Sequence, residues 1–389
     1  MAIPPGYEVS DKRLVCRLQK SLYGLRQASR SWYAKLSQAL IKFGFNQCHS
    51  NHSLFTYSSG SIFLVTLIYV DDLIIAGNDS NACASFKQYL NQCFHMKDLG
   101  TLTYFLGLEL SRGNTGFCLC QRKYTLDIFK ESGMLDCKPA TFPMEQNHNL
   151  ASDKGELFSD PPQYRRLIGR LIYLTITRPE ITYSIHILSQ FMQEPRQPHW
   201  EAAIRILKYL KSSPGQGILI PRHNDLKLEG FCDLDWASCP TTRRLISGYL
   251  MKLGSVPISW KTKKQTTISR SSSEVEYRAM TNATSEIIWL RGLLSALQVP
   301  CCDSTILHCD NQSAIHIANN PVFHERTKHI EVDFHFIREH IQSGTIFASY
   351  LHTRQQLADI FTKALGCILF HDLLSKLVFK ILTSQVEGE

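Results

Sequence analysis

The densest apolar pattern in the chain runs from Ile62 to Gly77, with Asp71 and Asp72 at its middle. β-Branched and aromatic runs flank the two aspartates. This predicts two strands joined by a tight turn that carries both carboxylates. Helical spacing comes before it. Tyr33, Leu36, Leu40 and Phe43 share one face, and Gly44 marks the stop. After the hairpin, Gly100 closes a turn and Tyr104 to Leu110 reads as a strand. Residues 139–162 are rich in Pro, Asp, Ser and Asn, which predicts a loop or linker. Three helical patterns follow. Leu167, Leu171 and Leu174 line the first. Pro179 opens the second, with Ile181, Ile185 and Leu188 inside. Pro198 opens the third, with Ala203, Leu207 and Leu210 inside.

Strand and helix patterns then alternate around acidic residues. Gly230 to Trp236 reads as a strand, and alternation puts Asp233 and Asp235 on one face. Residues 247–253 and 256–261 predict two antiparallel strands about Gly254-Ser255. Ser271 with Glu274, or Ser273 with Glu276, would make a capping box at the start of a helix. That explains either glutamate structurally, so local sequence does not choose between them. Asp310 stands where an apolar strand runs into a helix. Ile330, Phe334, Ile337 and Ile341 predict a further amphipathic helix, with His329 and His335 as structural or surface residues. Gln356 to Lys363 predicts the start of a helix holding Asp359. Leu373, Leu377 and Phe379 predict a terminal helix.

Length and charge narrow the picture. A chain of 389 residues predicts two or three domains. The balance of 42 Lys and Arg against 34 Asp and Glu permits a nucleic-acid partner without requiring one. Between Gln163 and Ser212 the excess is steeper, eight Lys and Arg against three Glu. That run is either a solvated face or a phosphate-tracking surface. The 13 cysteines fall in no zinc spacing and read as reduced thiols of a cytoplasmic or nuclear protein. No basic N-terminal region precedes an apolar core, so no signal peptide is expected. The longest apolar run is far short of the roughly 20 residues of a membrane span. The Asp71-Asp72 pair has two readings. It is an ordinary acidic turn, or it is a pair of carboxylates that repel unless a cation such as Mg²⁺ lies between them.

Several motifs then converge on one family. Tyr69-Val70-Asp71-Asp72 is similar to the metal-binding hairpin of reverse transcriptases. Leu22-Tyr23-Gly24-Leu25-Arg26-Gln27-Ala28 resembles a segment lining their nucleotide pocket, with Ser29 where the family usually has Pro. Four later stretches resemble ribonuclease H: Asp233-Leu234-Asp235-Trp236-Ala237, Ser272 to Ala279, Cys309 to Ala314, and Gln356 to Lys363. The forms of these motifs are those of the Ty1/copia-type retrotransposon Pol polyprotein.

The resemblance implies an α+β reverse-transcriptase palm remnant (1–140), a linker and helical thumb or connection (141–225), an α/β ribonuclease H-like domain (226–366), a mixed sheet with helices on both faces, and a tail (367–389). It implies Asp71 and Asp72 as polymerase metal ligands and Gly24 and Gln27 as nucleotide-binding residues. Arg165, Arg166 and Arg170 would meet nucleic acid. Asp233, Glu276, Asp310 and Asp359 would be the ribonuclease H ligands, with Asp235 and Glu274 outside the quartet. The cofactors implied are Mg²⁺ or Mn²⁺, two ions per active site. The partners implied are an RNA–DNA hybrid, a template-primer, and the rest of the Pol polyprotein or integrase. The family's first polymerase aspartate lies upstream of the Pro-Pro-Gly segment, here Pro4-Pro5-Gly6, so polymerase activity from this chain alone is not expected. The alternative is a decayed or co-opted element that binds nucleic acid without catalysis.

Overall fold

The apolar runs on either side of the aspartate pair form adjacent antiparallel strands, Ile62–Tyr69 and Asp72–Gly77, in register Tyr69 to Asp72. This computed structural model describes residues 24–235, 245–265, 272–319 and 331–381, with a few isolated positions before residue 24. Pro4, Pro5, Glu8, Asp11, Trp236, Ser271, His329 and Ile330 lie outside the described residues, as does the side chain of Glu274. The chain forms two compact units, Met1–Gly100 with Gly292–Gln298, and Thr101–Arg291 with Val299–Glu389.

The first unit contains α1 (Ala28–Phe43), β1 (Asn46–Gln47), β2 (Leu54–Ser59), β3 (Ile62–Tyr69), β4 (Asp72–Gly77) and α2 (Ser80–Cys93). Its four strands pair in sequence order, all antiparallel. Leu64 and Ile68 alternate inward from β3 and pack with Leu36 and Leu40 of α1 and Phe86 and Leu90 of α2. Phe43, Phe45, Tyr57 and Phe86 form a tilted aromatic cluster in the same core. Gly44 ends α1 in the left-handed conformation, as its position predicted, and the Asp79 side chain caps α2 by accepting from Ala82 N at 2.7 Å.

The second unit opens with β5 (Tyr104–Phe105), β6 (Leu108–Gly113), β7 (Gly116–Cys120), α3 (Arg122–Ser132), α4 (Pro161–Leu174), α5 (Thr182–Ser189), α6 (Gln197–Lys211) and β8 (Gln216–Pro221). It continues with β9 (Leu228–Asp235), β10 (Ile246–Leu253), β11 (Val256–Lys264), α7 (Ser272–Ala296), β12 (Thr305–Cys309), α8 (Gln312–Asn319), α9 (Glu331–Gln342), β13 (Ile346–Tyr350), α10 (Cys367–Ser375) and β14 (Phe379–Ile381). One sheet has the order β14-β8-β7-β6-β5 and is antiparallel. The other has the order β11-β10-β9-β12-β13. In it β11, β10 and β9 are antiparallel, while β9, β12 and β13 run parallel.

Two glycines show that this mixed sheet is covered on both faces. A Cβ on Gly230 would lie 3.2 Å from Ile287 of α7. Gly248 pairs with Asp233, so alternation places it on the opposite face from Gly230. There a Cβ would come within 2.8 Å of Phe361 and Thr362. The face of Phe231 and Leu250 shares one core with Leu167, Leu171, Ile185, Leu188, Leu207 and Leu210 of α4 to α6. The three helical patterns read from the sequence therefore bury their apolar faces as expected.

Three features differ from the sequence reading. Strands β5 to β7 belong to the second unit rather than continuing the hairpin's unit to residue 140, because β7 pairs with β8 across a gap of about 100 residues (Cys118 with Leu219). The expected terminal helix stops at Ser375. Phe379 instead pairs with Ile218, because β8 has an open edge whose backbone groups need partners. The segment holding Asp359 is a 3₁₀ turn, Leu357–Phe361, not the start of an α-helix. All five of its residues are buried, so it has no solvent face on which a longer amphipathic helix could form.

Candidate metal centre

Four separated stretches of sequence bring carboxylates to one end of the mixed sheet. Alternation along β9 turns Phe231 and Asp233 to one face and Gly230 and Cys232 to the other. Asp233 is 1% exposed. Asp310 follows the last residue of β12, which runs parallel to β9, so both strands deliver an acid at the same end. Glu276 lies in the second turn of α7 and is buried. Asp359 lies in the 3₁₀ turn that closes over Gly248.

The carboxylates form two overlapping groups. Ligand atoms of Asp233, Asp310 and Asp359 all lie within 4.8 Å of one another. So do ligand atoms of Glu276, Cys309 and Asp310. Asp310 is common to both. Its carboxylate accepts from the Thr353 hydroxyl at 2.9 Å, which fixes its orientation. The Gln356 side chain accepts from Ala358 N at 3.2 Å and donates to the carbonyl of Cys232 at 3.0 Å, tying the turn to β9. The Thr362 hydroxyl bonds to Asp233. Lys363 places its ammonium 2.8 Å from Asp359 and 3.1 Å from Asp233.

Burial sets the electrostatics. It pushes Asp359 up to about 8, with the negative charge of Asp233 adding to the rise and Lys363 opposing it. Burial also holds Glu276 well above the ordinary carboxylate range, reinforced by Asp233, Cys309 and Asp310. One Glu276 oxygen is buried with no hydrogen-bond partner. A buried carboxylate oxygen without a partner is costly, and either a proton or a bound cation offsets that cost. Hard oxygen donors grouped around a shared carboxylate suit a hard divalent ion of the Mg²⁺ or Mn²⁺ kind. The donor set therefore fits the metals expected from the motifs.

Asp71 and Asp72 occupy a different setting. Both are exposed at the tip of the β3–β4 hairpin. The two-residue turn puts Val70 at φ +53°, a left-handed conformation that strains a β-branched residue. The Trp32 indole donates to the Val70 carbonyl at 2.7 Å and holds α1 against that turn. Among the described residues, no group of three potential ligands includes Asp71 or Asp72. Gly24 is exposed at φ +87°, and Gln27 is the exposed residue preceding α1. Asp235 is partly exposed at the end of β9.

The basic run of the middle helices is partly engaged in ion pairs within the chain. Four of its eight cations, Arg170, Arg178, Arg196 and Arg205, pair with Glu131, Glu180, Glu194 and Glu145. Arg178 and Glu180 are fully buried at 2.6 Å. Arg170 also lies over the Tyr124 ring. Arg165 and Arg166 are exposed. Sequence reasoning did not single out Thr353, Gln356, Thr362 or Lys363 as site residues. Three of these fall in or beside the last acidic motif, whose spacing around Asp359 was the available signal. His352 accepts from Arg354 N at 3.2 Å and caps a short turn, away from a ligand role.

Residues 1–146 match the reverse transcriptase (RNA-dependent DNA polymerase) family. The chain is 42% identical, over 97% of its length, to the retrovirus-related Pol polyprotein from transposon RE1 of Arabidopsis thaliana. It is 40% identical to the corresponding protein from transposon RE2 of the same plant, again over 97%. Identity to the Pol polyprotein from transposon TNT 1-94 of Nicotiana tabacum is 34% over 93% of the chain. The chain spans 26%, 26% and 28% of the lengths of these relatives. It belongs to the Ty1/copia-type, retrovirus-related Pol polyprotein family. No described helix is long and apolar enough to cross a membrane.

Proposed function

We propose that residues 226–366 form a ribonuclease H-like nuclease that cuts the RNA strand of RNA–DNA hybrids with divalent metal. The observation that carries this reading is the convergence of Asp233, Glu276, Asp310 and Asp359 around the shared carboxylate of Asp310. The order β11-β10-β9-β12-β13, with one antiparallel and one parallel half, is in keeping with it. Asp310 would bridge two ion positions, Asp233 and Asp359 would serve one and Glu276 the other. Thr353 orients the bridging carboxylate, and Gln356 holds the Asp359 turn against β9. When bound, a pair of divalent ions supplies an activated water and charge stabilisation of the leaving 3′-oxygen. Asp359 and Glu276 must lose their protons to act as ligands, so the site loads as they ionise. The 2′-hydroxyls that mark the RNA strand are the features by which such a site would choose it.

Helices α4 to α6 would act as the thumb or connection, with Arg165 and Arg166 facing nucleic-acid phosphates. The first unit would be part of a reverse-transcriptase palm, with Asp71 and Asp72 as metal ligands and Gly24 and Gln27 beside the nucleotide. Template-primer and the remaining Pol polyprotein would be its partners. The test is incubation of the chain with a labelled RNA–DNA hybrid and a matched DNA duplex in Mg²⁺ or Mn²⁺. Cleavage of the RNA strand with the DNA duplex spared supports the reading. No metal-dependent cleavage of the hybrid overturns it.

A further inference from the structure

Among the described residues, Lys363 is the cation that meets two of the clustered carboxylates directly. Its ammonium lies 2.8 Å from Asp359 and 3.1 Å from Asp233, and both acids are 1% exposed. An ion that took oxygens from both acids would need the space and the charge balance that this ammonium supplies. The two cations therefore compete for the same pair of carboxylates.

Lys363 also has somewhere else to go. It lines a small cavity with Met144, Glu180, Tyr183 and Ile360. Glu180 is buried, and its Oε1 accepts from Arg178 at 2.6 Å, from Gln216 at 3.3 Å and from Tyr209 at 3.4 Å. Its other oxygen, Oε2, is buried with no hydrogen-bond partner. Glu180, which keeps one carboxylate oxygen without a partner, and Lys363 line the same cavity, so Glu180 offers a second anchor for an ammonium group.

We propose that Lys363 is a displaceable internal counter-ion of the metal centre. It holds Asp233 and Asp359 together before metal arrives, and it swings toward Glu180 when a divalent cation bridges them. Lys363 is thus a positioning residue that sets the metal affinity of the centre. While the ammonium is docked the site is not competent for metal. The observed affinity is then the intrinsic one reduced by the fraction of molecules in which Lys363 has moved away. The proposal rests on the reading of this cluster as a metal centre.

The test counts free Mn²⁺ by its electron paramagnetic resonance signal, using the full chain with Asp71→Asn and Asp72→Asn so that the hairpin does not contribute. Lys363→Met should tighten Mn²⁺ binding about tenfold, the scale of one partly buried ion pair, while lowering the melting temperature of the metal-free protein. Lys363→Arg keeps the charge and forms firmer carboxylate contacts, so it should bind Mn²⁺ no more tightly than the parent. Unchanged or weaker binding by Lys363→Met, or tighter binding by Lys363→Arg, overturns the proposal. A lysine with a merely structural role would lower the melting temperature without tightening the metal. Asp310→Asn separates the two claims. If it leaves Mn²⁺ binding as in the parent, the metal-centre reading itself fails. If it abolishes binding while Lys363→Met changes nothing, only the counter-ion role fails.

Discussion

The Gln356 side chain donates to the backbone carbonyl of Cys232 at 3.0 Å, and this bond joins the turn bearing Asp359 to the strand bearing Asp233. Gln356 is fully buried, and its carbonyl oxygen also accepts from Ala358 N. Replacing it with Leu removes both bonds and leaves a buried strand carbonyl without this partner. Gln356→Leu should lower the unfolding free energy by about 1–3 kcal/mol and weaken metal binding as the two acids lose their spacing. Urea unfolding, with and without Mg²⁺, measures both. A variant as stable as the parent would show that Gln356 does not hold the Asp359 turn against β9.

The raised acids predict an unusual pH dependence. In the folded state Asp359 is pushed up to about 8 from an ordinary 3.8, so between these values the folded protein holds a proton that the unfolded chain has lost. The resulting stability is fully present below about pH 4 and is lost as pH rises through about 8. Glu276, raised by the same burial, acts in the same direction. Metal-free protein should therefore lose stability between about pH 4 and pH 8 from this site, and metal affinity should rise over the same range as protons are released. Calorimetric metal titrations in buffers of different ionisation enthalpy count those protons. No proton release near pH 7 would contradict the assignment.

Much of the second unit was legible from its acids and apolar spacing. Asp233, Asp310 and the helix carrying Glu276 could be placed because strand alternation and strand-to-helix junctions leave strong local patterns. The choice of Glu276 over Glu274 came from the resemblance and not from spacing, since a capping box explains either residue. The 3₁₀ turn around Asp359 was not legible, because Leu357 to Phe361 are buried by contacts distant in sequence. The pairing of Arg170 with Glu131 and of Arg205 with Glu145 was hidden for the same reason, since those partners lie far away in sequence, whereas Arg178–Glu180 and Arg196–Glu194 are local pairs. The pairing of β14 with β8 depends on an open strand edge, which carries no sequence signature.

The exposed pair Arg165 and Arg166 predicts a salt-sensitive contact with nucleic acid. Arg165→Ala with Arg166→Ala should flatten the slope of log binding constant against log salt by about one unit per lost phosphate contact. Fluorescence anisotropy with a hybrid duplex over a salt series gives the slope. An unchanged slope would assign these arginines to solvent.

The hairpin predicts weak polymerase chemistry. Two-metal phosphoryl transfer needs its ions held by more than Asp71 and Asp72, and no further ligand joins them among the described residues. Losing one ion's charge stabilisation is worth several kcal/mol, or about 10³-fold in rate. Primer extension on an RNA template should therefore not rise above an Asp71→Asn, Asp72→Asn control. Clear extension would mean that the chain supplies another carboxylate.

Under the proposed function, Asp310 is the carboxylate shared by both halves of a metal-dependent nuclease centre and Asp235 stands outside it. The direct measurement is single-turnover cleavage of an RNA–DNA hybrid in Mn²⁺ by the parent chain, Asp310→Asn and Asp235→Asn, each checked for folding by circular dichroism. Asp310→Asn should lose about 10³-fold or more, and Asp235→Asn should cleave at a near-parental rate. Equal losses in the two variants, or cleavage untouched by Asp310→Asn, would contradict the proposed function.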